Sequence, residues 1–467
     1  MNRAEQLGTG RIGSLLLKFS LPAIVGMLIN ALYNVADRAF VGQAAGSLAI
    51  AGITVCFPIM VVLMGFGMLI GLGANSLISI RLGQKKKDEA EQILGNATTL
   101  LIGISLVLSV SGIIFINPLL RLFGASEAVM PMAAGYLRII LLGSVFQAIG
   151  FGMNNFIRGE GNPKIAMFTM LIGGLLNLLL DPLFIFVFGW GIQGAALATV
   201  ISMAVSASWV LFYYLGGKSL LKLHVKYLTP HWPVVKSIVV LGSAPFFMQI
   251  AASVVTTLLN YQLGAYGGDV AISAMGVVFS VAMLFMMPIF GINQGSQPII
   301  GYNYGARQFD RVKKAHLLAS LAATVVTVGG FLAAVLFPSF IIGMFSRNDP
   351  HLLEIGTRAL RIFLVMFPIV GFQIVTANYF QAIGKPHQAM ILSLSRQVLL
   401  LIPCLIILPR FMGLDGVFAS GPVSDLGSSL LTGTLFYLEM RKLKRKHEKV
   451  SAEKLADIPE ASLGESA

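Results

Sequence analysis

Four side chains with oxygen donors, Asp37, Asn177, Asp181 and Thr199, fall inside stretches of chain that are otherwise apolar. A carboxylate held at such a position costs at least ~2.5 kcal/mol, and ionisable groups found there mark ion or proton pathways by default. The set offers carboxylate, amide and hydroxyl oxygens and contains neither histidine nor cysteine. Donors of that kind suit a proton or a hard cation such as Na⁺. Because a buried carboxylate is costly until something neutralises it, its charge can be exchanged for a bound ion, which is a chemical basis for coupling.

The elements that must hold these groups are membrane spans. Apolar runs long enough to cross a bilayer, roughly 20 residues each, lie near 15–40, 51–80, 93–116, 130–156, 164–187, 192–215, 237–262, 271–300, 315–338, 357–382, 388–408 and 414–438, which makes twelve. With the first span entering near Leu21, Asp37 lies roughly 24 Å along it, and Asp181 lies roughly 25 Å beyond Lys164, at about 1.5 Å per residue. Both spans are odd-numbered and run the same way, so the two carboxylates reach one depth. Asn177 sits one turn before Asp181 on the same helix face, and Thr199 descends to that level on the next span. A plainer alternative pairs Asp37 with the adjacent Arg38 near the interface and makes Asp181 a helix end ahead of Pro182.

The spans come in two sets. Gly42, Ile50, Phe57, Gly73, Gly83 and Asp88 return 222 residues later as Gly264, Ile272, Phe279, Gly295, Gly305 and Asp310. Leu137, Arg138, Ile139, Gly161 and Pro163 return as Leu360, Arg361, Ile362, Gly384 and Pro386 at an offset of 223. A duplicated apolar bundle is the architecture with which many secondary transporters place a substrate site between two halves. The fold predicted is an all-α polytopic membrane protein, with residues 1–215 and 237–440 as two six-helix lobes. Residues 216–236 read as a cytoplasmic linker and 441–467 as a basic, then disordered, cytoplasmic tail.

Composition agrees: hydrophobic residues make up 56% of the 467, charged residues 11%, and the mean hydropathy is +0.83, far from soluble averages. The formal charge of +13 sits in short clusters between spans rather than in a patch, which excludes nucleic acid as a partner. Arg81, Lys85, Lys86, Lys87, Lys164, Lys222, Arg307, Lys313 and Lys385 fall on one side, with few basic residues such as Arg121 and Arg410 on the other. The positive-inside rule then puts both termini in the cytoplasm. Cys56 and Cys404 are far apart in apolar runs, so they indicate neither a disulfide framework nor a metal site. The first apolar run lacks a cleavage site and reads as a retained helix.

Several motifs resemble one family. Leu21 and Pro22 open the first span, Asn34 to Asp37 with Val41 and Gly42 close it, and Asn177 to Asp181 with Pro182 precedes Gly191-Ile-Gln-Gly194. Together with Arg396-Gln397, Gly416-Val417 and Pro422-Val-Ser-Asp425, they resemble the multidrug and toxic compound extrusion (MATE) transporters of the MOP superfamily, in their MepA-like and DinF-like branches. The likeness covers about 12–440. It implies export of amphipathic or cationic drugs in exchange for H⁺ or Na⁺, with the residues matching Asp37, Asn177, Asp181 and Thr199 as the cation or proton site. It also implies that the first span bends when its carboxylate changes state, and Pro22 is the hinge candidate, against the alternative that it merely begins the helix. The NorM-like branch carries acids in the second half, where this chain has Leu259 or Asn260 and Pro403 or Cys404. A lipid-linked oligosaccharide or lipid flippase of the same superfamily is the alternative. Such a flippase is expected to line its cavity with several basic residues, which most spans here lack.

Two further sets stand out. Arg396 and Asp425 reach a common depth on neighbouring spans, where a buried pair fixing helix packing is expected. Amides stud the spans at Asn34, Asn154, Asn155, Gln249, Asn293 and Asn378, and with the many Met and Phe they are candidates for a drug cavity. Neither an Asp-x-x-Asp pair nor a histidine cluster nor a Walker loop occurs, so an enzyme and an ATP-driven pump are disfavoured and no cofactor is expected. Small molecules and the bilayer are the expected partners of a monomer.

Overall fold

The computed structural model describes the backbone of residues 3–344 and 350–456, and the side chains of all of these except 3, 34, 35, 38, 39, 44–48 and 449–456. Among the described residues every regular element is helical. The first lobe holds α2 (Ile12–Gly83), α3 (Lys87–Ile114), α4 (Ile116–Leu122), α5 (Met130–Gln147), α6 (Asn154–Gly159), α7 (Pro163–Pro182) and α8 (Gly191–Leu215), with a short α1 (Arg3–Thr9) ahead of it. The second holds α9 (Trp232–Gly305), α10 (Phe309–Leu336), α11 (Pro338–Gly343), α12 (Pro350–Phe363), α13 (Phe367–Ala382), α14 (Pro386–Leu394), α15 (Ile402–Met412) and α16 (Leu414–Ala456).

At 72 and 74 residues, α2 and α9 would each be ~110 Å long if straight, several times a bilayer core. Both fold back instead. The Ile50 side chain lies against Gly42, and Ile272 against Gly264, although residues eight apart on a straight helix stand ~12 Å apart. In α9 the turn includes Gly268 at φ 65° and ψ −165°, a backbone that needs the missing Cβ. Among the described residues nine helices are long and apolar enough to cross a membrane, and α9, one of them, is long enough to cross twice on either side of its turn at Gly268. The pair α12 and α13, bent by 51°, makes a broken crossing. With α16, which falls short of that apolarity, the count is twelve.

Helices run past the apolar stretches because Lys, Arg and Glu are good helix formers once outside the core. Thus α9 begins at Trp232, inside the expected 216–236 linker, and α16 continues to Ala456, past the point where the sequence predicts disorder. Residues 457–467 lie outside the described ones.

The lobes meet mainly through α2 and α9, at the end of the bundle that carries Arg81, Lys85, Lys86 and Lys87. A Cβ on Gly83 would stand 2.0 Å from the Tyr302 carbonyl oxygen, and one on Gly305 would stand 2.1 Å from that of Ile80, so only glycine permits this pseudo-twofold contact. Nearby, Asn75 Nδ2 donates to Gln297 Oε1 at 2.8 Å across an offset of 222 residues, and Gln297 Nε2 donates to Ser76 Oγ at 2.9 Å. At this basic end one apolar core takes side chains from both lobes, among them Leu69, Ile78, Ile238 and Ile299. At the opposite end it divides into two, one around Val41, Ile53 and Ile140 and the other around Val255, Val278 and Leu360. The molecule is closed at its basic end and divided at the other.

Candidate functional site

Asn177 and Asp181 stand one turn apart on α7, so their side chains share a face, and α8 packs against it with Thr199. Asn177 Nδ2 donates to Asp181 Oδ1 and to Thr199 Oγ1, each at 3.2 Å. Asp181 is 0% exposed, Asn177 2% and Thr199 9%, so water does not solvate the group. Immediately after Asp181 and Pro182 the helix loosens into a π turn, Leu183–Val187, a feature that recurs at functional sites. Asp37, on the outer limb of α2, is near enough to Asp181 for the two carboxylates to repel each other. Hydrogen bonds bring Asn177, Asp181 and Thr199 to one place, and Asp37 lies within electrostatic range of them.

Two acceptors in this group, Asn177 Oδ1 and Asp181 Oδ2, make no hydrogen bond among the described residues. Each such buried atom costs ~1–3 kcal/mol, an imbalance that a proton on the carboxylate or a bound cation removes. The donor set is two carboxylates, an amide and a hydroxyl, and among the described residues no group of three or more His, Cys, Asp or Glu could hold a metal ion. This chemistry fits a proton or an alkali cation, with Asp37, Asn177, Asp181 and Thr199 as the holders. The alternative partner for Asp37, the side chain of Arg38, lies outside the described ones.

Sequence reasoning missed Tyr136. Its ring on α5 is 2% exposed, and both Asp37 and Asp181, with Tyr33, act on it electrostatically. The helix that carries it, α5, packs against both α2 and α8. Its spacing within an apolar run gives no sign of the face it takes, so no sequence signal separates it from a packing tyrosine.

Arg396 Nε donates to Asp425 Oδ1 at 2.5 Å, and Ser424 Oγ donates to the Arg396 carbonyl, also at 2.5 Å. Asp425 is buried and the arginine half-buried, at the start of a π turn, Ser395–Leu401. The amides do not gather into one wall. Asn155 accepts from Arg158 Nη1 at 3.1 Å, and both it and Asn154 are buried in the first lobe near the basic end. Asn378 Nδ2 donates to the Asn293 carbonyl at 3.1 Å within the second lobe, while Gln249 is half-buried on α9. The Asn34 side chain lies outside the described ones. Pro22 is interior to α2, which starts at Ile12, and so does not begin the helix.

A duplicated bundle of apolar helices is the architecture of many secondary transporters. The family model described as MatE matches residues 22–183 and again 245–406, once per lobe. The chain belongs to that family. It is 27% identical over 423 residues to the multidrug export protein MepA of Staphylococcus aureus strain MRSA252, covering 91% of this chain and 93% of the relative. It is 28% identical over 430 residues to the MepA of Staphylococcus saprophyticus subsp. saprophyticus, with the same coverage. Its fold is that of a solved structure described as the outward-facing conformation of a multidrug resistance MATE family transporter of the MOP superfamily, at a TM-score of 0.89 and 24% identity, covering 94% of this chain and 98% of that one.

Proposed function

We propose that this protein exports amphipathic or cationic drugs by alternating access, in exchange for H⁺ or Na⁺ taken up at Asp37, Asn177, Asp181 and Thr199. The observation that carries the reading is the buried Asn177, Asp181 and Thr199 cluster in the first lobe, two of whose acceptors make no hydrogen bond among the described residues. What the relatives are named for, multidrug export, supplies the cargo class. The undivided core at one end and the divided core at the other are what an alternating-access protein needs in one of its two states. By the positive-inside rule the closed, basic end faces the cytoplasm of a bacterial inner membrane, with both termini there. Each lobe covers the other, so a monomer suffices.

In this scheme the loaded site neutralises Asp181 and relieves its repulsion with Asp37, and unloading restores it. The charge change biases two arrangements of the first lobe, which is how a local event becomes a global one. The test is drug efflux from proteoliposomes under an imposed pH or Na⁺ gradient, one at a time. Asp181→Asn and Asp37→Asn are expected to lose gradient-driven efflux by more than about tenfold while still inserting and binding drug. Undiminished uphill efflux from both variants would refute the assignment, and the gradient that drives the native protein identifies the ion.

A further inference from the structure

The helix ahead of the first lobe is docked on the second. Leu7 of α1 is 0% exposed and Ala4 5%, buried against the start of α10 and the end of α9. Arg311 Nη2 donates to the carbonyls of Leu7 at 3.0 Å and Gly10 at 2.7 Å, and its Nε donates to Asn303 Oδ1 at 2.8 Å. Asn303, itself 0% exposed, donates a second hydrogen bond to the Leu7 carbonyl at 2.9 Å. The Leu7 carbonyl lies in the last turn of α1, which leaves it without an intrahelical donor, Gly10 follows just beyond, and one guanidinium nitrogen, Nη2, meets both.

The pseudo-symmetry makes the contact more telling. The segment ahead of the second lobe is bound to the first: Lys222 N donates to Glu91 at 3.1 Å, His231 N to Asn96 at 2.6 Å, and Thr99 donates to the Leu228 carbonyl at 2.7 Å. That segment is joined covalently to the lobe it sits on. The helix α1 is not; it reaches its lobe across the boundary. At the positions 222 residues before Asn303 and Arg311 stand Arg81 and Glu89, which pair with each other at 3.0 Å. The first lobe uses an internal ion pair where the second has a guanidinium turned outward to grip α1.

We propose that Arg311, positioned by Asn303, is a gate residue: it ties the head of the helix that carries Asp37 to the opposite lobe and so holds the basic end closed. The proposal rests on alternating access. When the basic end opens, either the Leu7 and Gly10 carbonyls leave Arg311 or the chain between Gly10 and Pro22 bends. Loss of the fork therefore favours the state open at the basic end.

The reporter is Ser79→Cys, fully buried between the lobes against Gly301, in the full chain with Cys56→Ser and Cys404→Ser. A membrane-impermeant maleimide is applied to the basic-end face of oriented vesicles. Arg311→Gln is expected to raise the labelling rate about tenfold, with melting temperature nearly unchanged, and Arg311→Lys to lie between because an ammonium reaches one carbonyl. Removal of residues 2–9 is expected to match Arg311→Gln, which keeps the test decisive should the point variant fold poorly. Labelling that rises on removal of residues 2–9 but not in Arg311→Gln overturns the role of Arg311 and leaves alternating access standing. A reporter labelled in the native background and no faster in any variant overturns the gate alone, whereas one never labelled in any background counts against alternating access itself.

Discussion

A single aspartate in an apolar helix has to be stabilised by something, and the two lobes solve that problem differently. In the first, Asp181 accepts from the Asn177 amide and, among the described residues, has no fixed cation paired with it. In the second, Asp425 has a permanent cation, Arg396, at 2.5 Å. A fixed pair of this kind is expected to serve packing: Asp425→Asn should lower stability in detergent, by less than the ~3–5 kcal/mol of a fully buried pair because the Arg396 guanidinium is only half-buried. Arg396→Gln added to it should recover part of the loss, read as a thermal-melt double-mutant cycle. Strict additivity would mean that the two do not interact, and would reopen a role for Asp425 in binding. The four-residue cluster was legible in the sequence because helical periodicity alone puts Asn177 and Asp181 on one face, and counting rise per residue gives depth. Tyr136 and the true surroundings of Asn154 and Asn155 were not. Hydropathy is the same for a face turned to lipid and a face turned to another helix, so rotation about the helix axis has no sequence signature in a membrane.

At the scale of the element, twelve apolar runs were legible and their ends were not, since a helix persists beyond the apolar core wherever good helix formers follow. The π turns after Asp181 and at Arg396 were also hidden, being set by packing rather than composition. The Pro22 question is narrowed by the structure. The helix starts at Ile12, so Pro22 cannot be a tolerated first-turn proline; it lacks the N–H that would bond the carbonyl of Lys18, and it weakens α2 fifteen residues before Asp37. Pro22→Ala restores that hydrogen bond and stiffens the limb. The expected result is drug affinity within about twofold of the native value and turnover slowed severalfold, measured by equilibrium binding and by efflux on the same preparation. Turnover equal to the native rate would place the bend elsewhere on α2.

At the scale of the whole molecule, the duplication told of two lobes but not of the state in which they are held. That state depends on contacts between the two copies at separations near 222 residues, through side chains polar or small enough to pass unnoticed alone. Asn75 and Gln297 are 1% exposed each and lie at equivalent places in the two copies, so they meet on the pseudo-twofold axis. The hydrogen bonds of this pair form only while the basic ends touch; parting them leaves both amides to find water. Two neutral hydrogen bonds, Asn75 to Gln297 and Gln297 to Ser76, together contribute ~2 kcal/mol to the closed state, equivalent to about thirtyfold in population. Replacing both Asn75 and Gln297 by Ala should therefore shift the molecule towards opening at the basic end and closing at the other. Spin labels at Leu122 on α4 and Phe411 on α15, both exposed and at the divided end, would report the change as a shorter inter-label distance. A distance distribution identical to that of the native protein would mean that the glycine contacts at Gly83 and Gly305 and the shared apolar core hold the closed end without help from this pair.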